Sequence, residues 1–555
     1  MNAEETHDYV IVGAGSAGCV LARRLTEDEG VSVLLLEAGP WDRGIILEMP
    51  AALSLPLQND RFNWDYSSEP EPYMDGRAMH CPRGRVVGGS SSINGLVYVR
   101  GNALDYDAWA ATSNSLANWS YAHCLPYFIK SENYEGGGDP AYRGSGGPLN
   151  VVRGACRNPL YNAFIEAGVE AGYRRTEDQS GYQHEGFGAM DMTVRGGRRG
   201  SAARGYLYPA LKRPNLDFEV KVLATRVLFE GKRAIGVEYR QGGRTRTARA
   251  GREVILCGGV INSPQLLMLS GVGNGAELRN HGIEVVHDLP GVGENLQDHL
   301  DIALQYECKQ PISLYKAAKP LGRLMVGLRW MLFHSGVGAS NAFESGGFIR
   351  SRAGVEYPNL QYHFMPIAMK YDGSRPIDAH AFQVHLSQMR PSSRGHIKLR
   401  SADPREHPKI LFNYCQTEND RQEFRDGIRL TREIVNQPAM DPYRGRELAP
   451  GERVQSDDEI DAYVRAQGET EYHPSCSCKM GTDDMAVVDG DLKVHGLEAL
   501  RVVDASIMPH VVAANLNATV IMIAEKAADT IRGREPPPAS DAPVYRAENW
   551  QTAQR

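Results

Sequence analysis

The sequence predicts a mixed α/β protein, α+β overall, in which a unit built on a parallel sheet is interleaved with a second unit built on an antiparallel sheet with flanking helices. Three observations predict this. The chain opens on a strand, a glycine turn, a helix and a second strand; apolar strands return at 253–259 and 499–504; and between them, over 301–470, the chain alternates strand pieces with helices. At 555 residues it is also longer than one hydrophobic core usually carries.

Taken in order, residues 8–13 (DYVIVG) form a short β-branched run ending in glycine, and so read as a buried strand. Residues 16–27 place Val20, Leu21 and Leu25 on one helical face, and residues 32–37 (SVLLLE) read as a second buried strand. Continuous apolar strands around a helix imply a βαβ unit in a parallel sheet covered on both faces. Further on, 216–238 reads as strands around a hairpin-like turn at Glu230-Gly231-Lys232, and a helix is expected after Pro264. In the second unit PNLQYHFMPI, HAFQVHLSQM and RGHIKLRS read as strands and 418–436 as a helix. A last helix is expected over 515–532. Residues 1–160, 201–300 and 471–532 are thereby assigned to the first unit, and 161–200 and 301–470 to the second. The tail 533–555, with its PPPASDAP, is expected to be unstructured.

Composition narrows the function. A net charge of −7 argues against a nucleic-acid partner, because phosphate binding normally shows as basic excess. Nine cysteines in so long a chain are no disulfide framework, and Cys476 and Cys478 lie too close for the usual zinc spacing, so no metal site is expected. No apolar run reaches the roughly 18 residues of a membrane span, and the acidic N-terminus has no leader-like form. A cytoplasmic setting is expected, with peripheral contact on the inner face of the membrane left open.

The opening turn carries the first chemistry. Gly13 permits a tight turn, Gly15 lets backbone approach a pyrophosphate, and Gly18 lets helix and strand pack closely; Ser16 begins the helix whose N–H groups face the phosphates. Glu37 ends the second strand 19 residues after Gly18, where it can accept ribose hydroxyls. This is a Rossmann-like dinucleotide unit, and by itself it does not separate NAD from FAD. Gly88, Gly89 and the Ser90-Ser91-Ser92 run add a second loop rich in small N–H and hydroxyl donors.

Six segments then stand in order: GRVVGGSSSINGLVYVRG (84–101), GGVINSPQLLMLSGVG (258–273), GVGENLQDH (291–299), HPSCSCKMG (473–481), GLEALRVVDASIMP (496–509) and NLNATVIMIAEK (515–526). Together they resemble the glucose–methanol–choline (GMC) oxidoreductases over about residues 7–532, although Val260 replaces a more usual small residue. The resemblance implies bound FAD, with Asn94 and Gly95 near the flavin and Asp504 and Ala505 near the ribityl–pyrophosphate. It also implies noncovalent FAD, since Ile93 stands where some members carry the histidine that bonds to the flavin. It implies His473 and Asn517 as the catalytic pair: a neutral imidazole accepts the hydroxyl proton while an amide holds the same oxygen.

Within the family the chain is most similar to the choline-oxidising dehydrogenases, through GYQHEGFGAMD (181–191), GVGASNAFESGGFIRS (336–351), PNLQYHFMPIA (358–368) and DASIMPH (504–510). The expected substrate is a small primary alcohol, choline first, oxidised to betaine aldehyde and on to glycine betaine if the aldehyde is also taken. Another small or aliphatic alcohol is the alternative, and a flavin-containing hydroxynitrile lyase or a non-catalytic FAD-binding protein the remote ones. Asp301 is expected to face the ammonium, one methylene shorter than the glutamate usual there. Tyr472, Tyr362 and Phe364 are expected to contribute an aromatic enclosure. His363 reads equally as an active-site residue or as a strand histidine packed beside Phe364, and His299 as a residue that orients backbone. The electron acceptor (a quinone, another carrier, or oxygen) and the oligomeric state stay open.

Overall fold

The computed structural model describes residues 6–369 and 376–555; residues 1–5, part of the segment read above as lacking a leader, lie outside the described residues. The opening unit forms as its pattern dictates. Thr6–Val12 and Val33–Glu37 pair in parallel, and Ser16–Leu25 crosses between them with its apolar side buried. The sheet is mixed rather than purely parallel. Its core runs Leu216–Val220, Val33–Glu37, Thr6–Val12 and Arg244–Leu256, all parallel, with Leu500–Val502 also parallel on the last. The first half of Arg244–Leu256 instead pairs antiparallel with Arg233–Gln241, itself in a hairpin with Val222–Glu230. One 13-residue strand serves both neighbourhoods, because only its last three residues, 254–256, are continuously apolar and buried.

Pro264 does not precede a helix but lies inside one, Gly259–Leu269. Proline cannot bond the Val260 carbonyl one turn back. The Ser477 hydroxyl donates to that oxygen at 2.6 Å, so the helix passes through without an orphaned acceptor.

The second unit carries an antiparallel sheet in the order Arg444–Ala449, Leu300–Cys308, Ala381–Gln388, Leu360–Met365, Ser345–Ile349 and Gly186–Ala189, with Glu469–Thr470 also on Leu300–Cys308. RGHIKLRS does not join it: His396–Lys398 pairs with Lys409–Leu411 in a ribbon of its own. Alternation divides this sheet. One face presents Ile302, Tyr362, Phe364, Val384 and Leu386, all buried, and Phe364 stacks on Phe164 of the helix Pro159–Glu170. The opposite face presents Asp301, His363, His385 and Ser387 on registered strands and roofs a cavity over the first unit.

The tail is not unstructured. Ser540 N donates to Ala122 O and Tyr142 OH to Pro543 O, which ties it to the first unit; Gly354 N donates to Trp550 O and Arg350 to Ala553 O, which ties it to the second. Its Pro-rich composition disfavours regular structure, but its backbone and Val544 find partners along both units. Among the described residues no helix is long and apolar enough to cross a membrane.

Candidate active site

A single cavity of about 660 Å³ runs from the glycine turn to the antiparallel sheet. Its first end is made of backbone. Gly13, Gly15, Ser16 and Glu37 line it from the βαβ unit, Gly89, Ser91, Asn94 and Gly95 from the second loop, and Asp504 and Ala505 from the third segment. Two glycines here are obligatory. A Cβ on Gly18 would fall 1.9 Å from Gly13 O, and one on Gly89, at φ 54°, would fall 2.7 Å from Gly15 Cα. Gly88, at φ 87°, turns the second loop under the first, its N–H bonded to Ala14 O.

The polar side chains at this end behave less freely than the sequence suggested. The Ser91 hydroxyl donates to Gly88 O at 2.6 Å and that of Ser92 to Val87 O at 2.7 Å, so both brace their own loop rather than offering protons to a ligand. Asp504 accepts from Gly259 N, Ser263 and Ser506 N, holding a helix start against the loop that carries Ala505. Asn94 Oδ1 accepts from Arg199. Glu37 accepts from Ala14 N and Gly39 N, yet burial still pushes its carboxyl up to about 7. Ribose hydroxyls donating to it would draw it back to its charged form. A narrow channel walled by glycine backbone, with a buried acid short of donors at its end, fits the adenosine and diphosphate of a dinucleotide.

At the other end the walls are side chains. His473 lies between two partners: its Nδ1 is 3.1 Å from His299 Nδ1, and its Nε2 is 3.3 Å from the Asn515 amide nitrogen. Asn517 is not that partner. It is the first residue of the helix Asn517–Ile531, and its Oδ1 accepts from Ser16 Oγ at 2.7 Å, so it joins two helix starts at the dinucleotide end. Asn515, two residues earlier and outside the helix, faces the histidine. The predicted pair is thereby corrected from His473 and Asn517 to His473 and Asn515.

The hydrogen bonds also fix the tautomers. His299 Nε2 meets a carbonyl, Met389 O, at 3.1 Å and must donate to it, which leaves its Nδ1 as an acceptor for the Nδ1–H of His473. Burial pushes His299 down to about 3, so it is neutral near neutrality, and His473 presents a lone pair at Nε2 toward Asn515 and the cavity. His299, expected to orient backbone, instead bonds the His473 ring. Asp298 accepts from both His299 N and His473 N, and Tyr472, between Glu471 and His473, takes a positive φ of 66°.

Asp301 lines the cavity as expected, but its carboxylate is engaged: Oδ2 pairs with His385 Nδ1 at 2.6 Å and Oδ1 accepts from Ser387 at 2.9 Å. Burial alone would lower the His385 pKa; the Asp301 carboxylate outweighs it and holds the ring above its usual range. His363 and Tyr472 also line the cavity. Tyr362 and Phe364 do not, because strand alternation turns them to the opposite, apolar face. The aromatic group that sequence reading missed is Phe343, whose ring lies 5.6 Å from that of His363. Glu471 was missed as well. It stands two residues before His473, its carboxylate 3.4 Å from His473 Nδ1 and from His363 Nδ1 and 3.7 Å from His299 Nδ1. Groups of His299, Glu471 and His473 that can act as metal ligands lie within 4.8 Å of one another, but the two ring nitrogens are committed to their mutual bond.

Two models of the GMC oxidoreductases match residues 7–301 and 391–524. The chain belongs to the GMC oxidoreductase family. It is 59% identical over 544 residues to the oxygen-dependent choline dehydrogenase of Pseudomonas aeruginosa strain LESB58, covering 97% of each chain. It is 58% identical to that of Pseudomonas putida KT2440, covering 97% of this chain and 96% of the other. Among solved structures it resembles pyridoxine 4-oxidase from Mesorbium loti, with a TM-score of 0.86, 32% identity and coverage of 95% and 100%. A variant of Aspergillus oryzae formate oxidase, studied for FAD modification, aligns with a TM-score of 0.90, 26% identity and coverage of 96% and 99%. As a GMC oxidoreductase the protein is an FAD-dependent enzyme acting on CH–OH donors, and the channel described above is where the family cofactor fits.

Proposed function

We propose that this GMC oxidoreductase oxidises choline to betaine aldehyde, with FAD held noncovalently. The single observation that carries the reading is the near-complete alignment to choline dehydrogenases, which extends through the strands that roof the cavity. The site chemistry supports it. FAD, when bound, supplies the hydride acceptor. His473 Nε2 takes the hydroxyl proton, His299 Nδ1 accepts the Nδ1–H of that ring and so orients it, and the Asn515 amide donates to the oxygen as its charge develops. His363, Tyr472 and Phe343 wall the substrate end. Anaerobic mixing with choline and a panel of uncharged alcohols tests the reading: choline is expected to bleach the flavin fastest, and bleaching by aliphatic alcohols alone would refute it. Noncovalent attachment is supported by Ile93, buried and unreactive; after acid precipitation the yellow colour is expected in the supernatant.

Peripheral membrane contact on the cytoplasmic side is part of the same proposal. The helix Pro320–Phe333 exposes Leu321 by 73%, Leu332 by 70% and Phe333 by 71%, with Lys316, Lys319, Arg323 and Arg329 beside them. An apolar helix edged by cations suits the headgroup boundary of an anionic bilayer. Leu314, Arg323 and Val326 also line the cavity, which supports an opening on the face that carries this helix. Flotation with phosphatidylglycerol vesicles is expected to carry the enzyme up, and Leu321→Ser/Leu332→Ser to release it; equal flotation of both would refute the contact.

A further inference from the structure

One buried acid at the substrate end has no part in the steps above. Glu471 lies on the cavity wall with its side chain 10% exposed, and both of its oxygens are shut off from solvent. Three imidazoles enclose the carboxylate: His473 Nδ1 at 3.4 Å and His299 Nδ1 at 3.7 Å from Oε2, and His363 Nδ1 at 3.4 Å from Oε1. Burial alone would raise its pKa, but the rings, His473 foremost, outweigh burial and hold the carboxyl down at about 2. The acid is therefore charged at any working pH, and its charge is met by the protein rather than by a ligand. Glu471 N donates to His299 O at 2.9 Å, which ties its backbone to one of the rings it faces.

Hydrogen bonds on the far side of two of these rings decide which nitrogen carries the proton. The Gln361 amide nitrogen lies 3.1 Å from both Asn515 Oδ1 and His363 Nε2 and donates to them. Asn515 is left with its own amide nitrogen for His473 Nε2. Nε2 is then the acceptor on each ring, so His363 and His473 both carry their proton on Nδ1, the nitrogen nearest Glu471. His299 agrees with this, since it donates from Nε2 to Met389 O and accepts at Nδ1 from His473.

We propose that Glu471 is a positioning residue for the oxidation, holding the proton of His473 on Nδ1 and stabilising the imidazolium that forms when Nε2 is protonated. The inference rests on His473 being the base in choline oxidation. As the alcohol is oxidised its hydroxyl O–H bond breaks and an Nε2–H bond forms, while the carbinol hydrogen leaves with its electron pair for the flavin. The largely buried ring thereby gains a full positive charge, and a fixed carboxylate 3.4 Å away offsets it without having to reorient. A neutral amide at this place offsets no charge, and its N–H, donated to Nδ1, would drive the ring proton to Nε2 and remove the lone pair.

The test is a double-mutant cycle on the FAD-loaded enzyme, read as the limiting rate and the half-saturating concentration of anaerobic flavin bleaching by choline. Glu471→Gln is expected to lower the limiting rate by about 10²-fold or more and to change the half-saturating concentration by about threefold or less. In a His473→Ala background the same substitution is expected to change the limiting rate by about threefold or less, because the charge it offsets never forms. Glu471→Asp keeps the charge and is expected to recover at least about tenfold of the loss. Should Glu471→Gln fail to retain FAD, Glu471→Asp carried through both backgrounds reads the same coupling. Equal slowing in both backgrounds overturns the inference, as does a change in half-saturation with the limiting rate intact. Bleaching of His473→Ala at the wild-type rate would instead overturn the base assignment on which the inference rests. Bleaching of the wild type by another alcohol and not by choline would refute the choline reading and move the same cycle to that alcohol.

Discussion

At its dinucleotide end the cavity is walled by backbone held in place by glycines, whereas at its substrate end it is walled by side chains from six separate segments, around Asp301, Phe343, His363, His385, His473 and Asn515. The first end tolerates almost no added atom: Gly18 and Gly89 each abut backbone of the neighbouring turn. The second is a hydrogen-bonded chain, Met389 O to His299 to His473 to Asn515 to Gln361, in which each link fixes the donor or acceptor role of the next. The difference teaches where each kind of change acts. A substitution in the backbone end should alter cofactor retention, and one in the side-chain end should alter the rate of hydride loss with the cofactor in place.

Four substitutions and one condition sharpen that contrast. The largest effect is expected from His473→Ala, which should slow stopped-flow flavin reduction by about 10²–10⁴-fold with FAD still bound. Reduction within threefold of the wild type would place the base elsewhere. Next, Asn515→Ala should slow the same step by about 10²–10³-fold, as loss of a donor to developing negative charge does. Asn517→Ala should leave that step close to the wild type and speed FAD loss on dilution, read by fluorescence. Reversal of these two phenotypes would restore the pairing suggested by sequence alone. Gly89→Val should yield enzyme with FAD content lowered by about tenfold or more, because overpacking against Gly15 costs roughly 1–3 kcal/mol; full FAD occupancy would break the backbone account of this end.

The smallest effect is a pH dependence. The His385 pKa is raised by Asp301, so the imidazolium, and the stability of the pair, is present below the ordinary histidine range and is lost as pH rises through the raised value. Above it the ring is neutral, and Asp301 keeps the hydrogen bonds of His385 Nδ1 and Ser387 without a balancing charge. Inhibition by tetramethylammonium, which has no hydroxyl to titrate, should therefore strengthen by about tenfold at alkaline pH in the wild type and stay flat in Asp301→Asn. A flat profile in both would mean that the pair does not titrate.

The opening βαβ unit, the glycine turn with Glu37 and the apolar strands that close the first sheet were legible in the sequence, because local spacing alone sets a turn, a helix start and a buried strand. His473 was legible for a similar reason, through the motif around it. The choice between Asn515 and Asn517 was not, since two residues of one segment differ only in whether the helix has begun. Nor was the fate of Tyr362, Phe364 and His363: adjacent letters on a strand go to opposite faces, and only the pairing of Leu360–Met365 with Ala381–Gln388 decides which face meets the cavity. The docking of residues 533–555 depends on carbonyl and amide partners scattered over both units. The same holds for the two carboxylates. Sequence places Asp301 and Glu471 beside the motifs, but what answers a buried charge depends on what tertiary packing brings near it: His385 and Ser387 for Asp301, and the imidazoles of His473, His363 and His299 at 3.4–3.7 Å for Glu471.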